Sequence, residues 1–166
     1  VKHSLAEAGE RALRMNVPRM LGSDNSQAEL MRLNLQHAGS TVRCGLDGLQ
    51  ALADAIPDWP GQADPGSYAK YLVNAIIKFG TGGACFRSLY TEFLAWARHL
   101  RPELVSEAAV TLAEQSSGQW VALSELALPL IEDGTNRGAW QAAQHQVLAI
   151  HRTESELFER LAEGLG

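Results

Sequence analysis

Apolar residues in this chain recur at steps of three and four. Nowhere do Val, Ile, Thr and aromatic residues alternate with polar ones as a half-buried strand requires. Each striped segment predicts an amphipathic helix. In the first, Ser4 and Glu7 can form a capping box ahead of Leu5, Ala8, Ala12 and Leu13, and Pro18 is expected to end or kink it. Ser26 and Glu29 repeat the capping signal before Ala28, Met31, Leu35 and Ala38, with Gly39 as a C-terminal cap. Leu46, Leu49, Leu52 and Ile56 mark a short third helix. The segment from Ile56 to Ser67 holds Pro57, Pro60, Pro65, Gly61 and Gly66 and reads as a loop, with Trp59 as the anchor pinning it to the core. Tyr68, Leu72, Ile76 and Phe79 stripe a fourth helix; Phe86, Leu89, Tyr90, Phe93, Ala97 and Leu100 stripe a fifth.

Pro102 suits the first position of a sixth helix, where a missing N–H costs nothing. Its stripe runs Val105, Ala109, Leu112, Ser116, Trp120, Leu123, Ala127 and Leu130, about seven turns long, with a candidate bend at Ser117 and Gly118. A turn from Glu132 to Gly138 leads to a last long helix striped by Trp140, Ala143, Val147, Ile150, Leu157, Phe158 and Leu161. A short turn between two long helices predicts an antiparallel hairpin. The expected architecture is one compact all-α domain over residues 1–166, with about seven helices ending in that hairpin.

Composition narrows the function classes. At 166 residues, 46% hydrophobic and 20% charged, the chain has ordinary globular usage and the size for a real core. A net charge of −5 argues against a nucleic-acid partner, which needs a basic face. No apolar run approaches the roughly 20 residues of a bilayer span, so no membrane partner is expected. The N-terminal stretch VKHSLAEAGERALRMN lacks the apolar core of a signal peptide and has no starting Met, which reads as a piece of a longer protein. Two cysteines do not make a disulfide framework, and a reducing cytoplasm is the default compartment.

The stretch KFGTGGACFRSLYTEFL, from Lys78 to Leu94, is the main candidate for chemistry. A helix start attracts anions and glycines let a ligand approach the backbone, so Thr81, Gly82, Gly83, Arg87 and Lys78 form a candidate ligand contact. No Gly-Lys-Ser/Thr follows and no strand precedes, so this is not a Walker loop. The competing reading is a tight bend letting two helices pack closely, and both stay open. Cys85 sits where a helix dipole would lower its pKa. His99, fourteen residues on, lies about 21 Å away along the helix and cannot serve it as a base. Cys85 therefore reads as a buried small hydrophobe, and Cys44 carries no better case. His151, Glu154 and Ser155 fall within one turn and read as a solvated face rather than a relay. The histidines are scattered and there is no Cys-x-x-Cys, so no metal site is expected, and no catalytic residue is assigned. Trp96, Trp120 and Trp140 read as core, with a shared pocket as the alternative.

The stretch GTGGACFRSLYTEFL resembles the C-terminal helical domain of the butirosin biosynthesis protein H-like family. There a Gly-Thr-Gly-Gly stretch leads into a helix carrying Phe-Arg, Tyr and Phe-Leu. Here these are Gly80, Thr81, Gly82, Gly83, Phe86, Arg87, Tyr90, Phe93 and Leu94. GLDGLQALADAIPDWP and SSGQWVALSELA extend the resemblance over about residues 45–161, while 1–40 match poorly. The resemblance implies a papain-like N-terminal half with a nucleophilic cysteine, absent here, whose role neither Cys44 nor Cys85 inherits. It also implies an acyl carrier protein delivering a phosphopantetheine thioester, with no cofactor bound by this chain itself. On it, Gly82, Gly83 and Arg87 are expected to hold an anionic part of the donor, unless Arg87 ties the turn to a neighbouring carbonyl or carboxylate. The expected function is an accessory, substrate-binding domain of a cysteine-dependent acyltransferase or peptidase-like enzyme of natural-product (aminoglycoside-type) biosynthesis. The alternatives are a stand-alone interaction module that homodimerises through its last two helices, and an intact small-ligand enzyme using the glycine site.

Overall fold

The computed structural model describes residues 2–21, 43, 45–78 and 83–166. Six α-helices lie among them: α1 (Lys2–Met20), α2 (Gly45–Ala55), α3 (Pro65–Ile77), α4 (Arg87–Leu100), α5 (Glu107–Ala127) and α6 (Arg137–Leu165). Short 3-10 turns at Ile56–Gly61, Ala84–Phe86 and Pro129–Ile131 join them, and no strand occurs among the described residues. The all-α expectation holds. The helix expected over 26–39, Cys44, Phe79, and the candidate ligand residues Thr81 and Gly82 lie outside the described residues.

Capping chemistry moves several expected boundaries. Pro18 does not end α1, which runs on to Met20, and the Leu21 N–H still closes on the Val17 carbonyl at 3.1 Å. Pro102 does not open α5. Ser106 does, its hydroxyl accepting from the Ala109 N–H at 3.2 Å, while 102–104 form a turn closed by the Leu104 N–H on the Arg101 carbonyl. Ile56–Gly61 is a 3-10 turn rather than open loop. Trp59 does anchor it, with its ring 5.2 Å from Tyr68 and edge-on to Trp140, also at 5.2 Å. Asp64 caps α3 by accepting from the Ser67 N–H at 3.2 Å.

The hairpin of α5 and α6 is the spine. The Gln146 side chain donates to the Gln119 carbonyl at 2.9 Å, while Ser116, earlier in α5, reaches Glu154, later in α6. The two helices therefore run antiparallel. Their stripes are shared between two apolar clusters. One gathers Ile56, Ile76, Leu123, Leu130, Trp140 and Ile150, the other Leu13, Leu94, Val105, Leu157, Phe158 and Leu161. Each such fully buried side chain contributes about 1.5–3 kcal/mol. Between the clusters lies a buried polar layer of Ser116, Thr153 and Glu154. At the hairpin tip, Gly134 and Gly66 touch: a Cβ on Gly134 would lie 2.6 Å from the Gly66 nitrogen. Trp140 fixes that contact by donating its indole N–H to the Gly134 carbonyl at 2.7 Å.

Candidate functional site

The glycine segment enters α4 through one left-handed turn. Gly83 (φ 80°), Ala84 (49°), Cys85 (52°) and Phe86 (68°) all have positive φ, and the Phe86 N–H closes the turn on the Gly83 carbonyl at 3.2 Å. For a residue with a Cβ this conformation costs about 1–2 kcal/mol, so the surroundings must impose it. Two anchors do. Ala84 is wholly buried in the first cluster, and Arg87 donates from Nη1 to the Cys85 carbonyl at 3.1 Å.

Arg87 also holds Glu154 in a bidentate ion pair, Nε to Oε1 and Nη2 to Oε2, each 2.7 Å. Glu154 Oε1 accepts from Ser116 Oγ at 2.7 Å and from Trp120 Nε1 at 2.9 Å. The guanidinium lies 5.2 Å from the Trp120 ring centroid, a cation–π contact. The Glu154 side chain is 1% exposed and that of Arg87 22%. Burial alone would raise the Glu154 pKa, but the Arg87 hydrogen bonds and charge, with the Trp120 and Ser116 donors, outweigh it and hold the carboxyl below its ordinary range. Burial likewise opposes the charge on Arg87, and Glu154 outweighs it.

This corrects the solvated reading of Glu154, which is the most buried charged group described. It forms no relay with His151 and Ser155: the Ser155 hydroxyl donates to the His151 carbonyl at 2.8 Å, while Glu154 serves Arg87, Ser116 and Trp120. Of the two uses expected of Arg87, the tie to a carbonyl and a carboxylate is the one its hydrogen bonds make. Cys85 packs against the first cluster, in line with the small-hydrophobe reading, but its placement departs from expectation. It precedes α4 in the left-handed turn and is half-buried, and burial pushes its thiol pKa up; the Arg87 charge opposes this without reversing it.

Beside this turn opens a cavity of about 710 Å³, within the usual range for small-molecule sites. Leu72, Ile76 and Trp120 form its buried floor, and Leu52, Trp59 and Cys85 its walls. Ser67, Tyr68 and Tyr71 stand at the mouth, with Tyr71 68% exposed. Of the tryptophans expected to share a pocket, only Trp120 lines it, joined by Trp59. Trp140 stands behind Trp59, and Trp96 packs on Gly9 of α1. Lys78 caps α3 two residues beyond Ile76 and is exposed; Gly83 has open space where a Cβ would be. A smaller cleft of about 160 Å³ is lined by Phe86, Tyr90 and Phe158, and the Tyr90 hydroxyl is buried without a hydrogen-bond partner.

Among the described residues, no three His, Cys, Asp or Glu side chains converge to hold a metal, and no helix is long and apolar enough to cross a membrane. Comparison with curated proteins and with solved structures gives no match. Residues 2–161, nearly the whole chain, match the family described as a domain of unknown function, DUF4872, and the chain belongs to that family.

Proposed function

We propose that this domain holds the acyl end of a substrate for a cysteine-dependent acyltransferase or peptidase-like enzyme of aminoglycoside-type natural-product biosynthesis. In this reading the bond-making residues reside in a papain-like domain outside this chain. The observation that carries it is the aromatic-walled cavity beside the Gly83–Phe86 turn. A carrier-borne phosphopantetheine thioester would place its acyl group past Tyr68 and Tyr71 onto Trp120, with the pantetheine arm leaving toward Lys78 and Gly83. The work would take place in the cytoplasm beside an acyl carrier protein. The Cys85 thiol, kept protonated by burial, suits a wall rather than a nucleophile.

The test is a heat-unfolding scan of the chain with hexanoyl-pantetheine and phenylacetyl-pantetheine, against pantetheine alone. A ligand at about 100 times its dissociation constant stabilises by about 2.7 kcal/mol, a rise of several degrees for a domain of this size. The reading expects that rise with the acyl compounds only. No rise with any thioester at millimolar concentration would refute it.

A second reading, a protein-interaction module, has one observation in its favour. The stripes of α5 and α6 are buried within the chain, but Phe86, Leu89 and Trp96 at the start of and along α4 are exposed. A homodimer through this face would show a concentration-dependent mass in sedimentation equilibrium, lost in Leu89→Glu.

A further inference from the structure

Resting on the acyl-holding reading, we infer that the cavity selects an uncharged aromatic group as the acyl part of its ligand. Four rings, Trp59, Tyr68, Tyr71 and Trp120, surround one void. Two are fixed before any ligand arrives. Trp59 is wedged between Tyr68 and Trp140 at 5.2 Å from each. Trp120 is held by its N–H on Glu154 and by the guanidinium of Arg87 at 5.2 Å. A wall already ordered loses little freedom on binding, so ring contacts convert efficiently into affinity.

The exclusion of charge follows from the same residues. None of the described residues lining the cavity is charged. The Arg87–Glu154 ion pair beside Trp120 compensates itself. A carboxylate or ammonium carried to the floor of Leu72, Ile76 and Trp120 would lose its water and find no charged partner among the described lining residues. The indole N–H of Trp120 is already spent on Glu154, so the floor offers it no donor either. The hydroxyl-bearing residues Ser67, Tyr68 and Tyr71 sit at the mouth, where a polar linker would leave.

The experiment titrates the chain with three N-acetylcysteamine thioesters, phenylacetyl, cyclohexylacetyl and 4-carboxyphenylacetyl, and with neutral N-phenyl-1-naphthylamine. Edge and face contacts with the wall rings predict that phenylacetyl binds about three- to tenfold tighter than the saturated ring. The carboxylated ring should bind about a hundredfold weaker or not at all. Ala75→Trp, which crowds a bulky ring into the cavity, should weaken phenylacetyl binding about tenfold or more, and Tyr71→Ala at the exposed mouth should weaken it as well. Equal binding of phenylacetyl and cyclohexylacetyl would overturn the aromatic selection while leaving the acyl-holding reading standing. Binding of the naphthylamine, blocked by Ala75→Trp, with no thioester bound would overturn the acyl-holding reading while supporting ring selection. Equal binding of the carboxylated ring, or binding untouched by both variants, would overturn the inference outright.

Discussion

Replacing either partner of the Arg87–Glu154 pair should reveal a coupled unit rather than two independent side chains. Glu154→Gln keeps the shape and one acceptor for Ser116 and Trp120 but leaves the guanidinium without its counter-charge. Arg87→Met leaves a carboxylate 1% exposed without its cation and strips the Cys85 carbonyl of its donor. Breaking a buried pair by removing one partner costs about 3–5 kcal/mol, a large share of the 5–15 kcal/mol typical of a domain. The double variant leaves neither charge stranded, so the summed single losses should exceed its own by about 2–3 kcal/mol. The assay is urea unfolding of the wild type, both singles and the double, read as the midpoint at constant slope. Single losses under about 1 kcal/mol, as for a surface pair, or additivity within about 0.5 kcal/mol, would refute the argument.

The same pair sets an acid limit. The folded pKa of Glu154 lies below its ordinary value of 4.5, so its stabilisation is fully present above about pH 4.5 and is lost as pH falls through the folded pKa. Acid unfolding followed by circular dichroism should show a shallower dependence below pH 4.5 in Glu154→Gln. Trp120→Phe keeps one aromatic ring but removes the pyrrole ring together with its hydrogen bond to a charged acceptor, and should lower stability by at least about 1.5–3 kcal/mol in the same urea assay. The raised pKa of Cys85 predicts slow alkylation by iodoacetamide at pH 7, with the rate in peptide mapping well below that of the urea-unfolded chain. Gly66→Ala would bring a Cβ to 2.5 Å from the Ile131 carbonyl oxygen, and should lower the heat-unfolding midpoint through about 1–3 kcal/mol of overpacking.

The helices were legible because their burial is one-sided: a stripe at three and four spacing has no other economical use in an aqueous domain. Trp59 was legible for a related reason, since a large ring among turn residues must be covered by something. Glu154 was not, because its charge argued for solvent. Its position argued otherwise: it stands four residues after Ile150 and three before Leu157, filling the gap in the α6 stripe, as Ser116 does in α5. A charge inside a stripe was the signal, and Arg87 its partner on another helix. The left-handed turn was only half visible. Gly83 announces positive φ, but Ala84, Cys85 and Phe86 are not residues that favour it, and what holds them there is burial of Ala84 and the reach of Arg87. The start of α5 went to Ser106 rather than Pro102 because a hydroxyl that satisfies a free N–H outweighs a proline that merely tolerates the position. Of the cavity only Trp120 was anticipated, as one of three tryptophans that could share a pocket: its walls come from α2, the 3-10 turn, α3, Cys85 and α5, and no periodicity encodes the space left between them.

The most direct test of the cavity as the working site uses the chain's four tryptophans as reporters. With 5-fluorotryptophan incorporated, the fluorine spectrum is recorded as phenylacetyl-N-acetylcysteamine is added, each resonance assigned by single Trp→Phe variants. The account predicts saturable shifts for Trp59 and Trp120, which line the cavity, and none for Trp96, which packs on Gly9 far along α4. Unmoved Trp59 and Trp120 resonances at millimolar ligand, or a response led by Trp96, would contradict it.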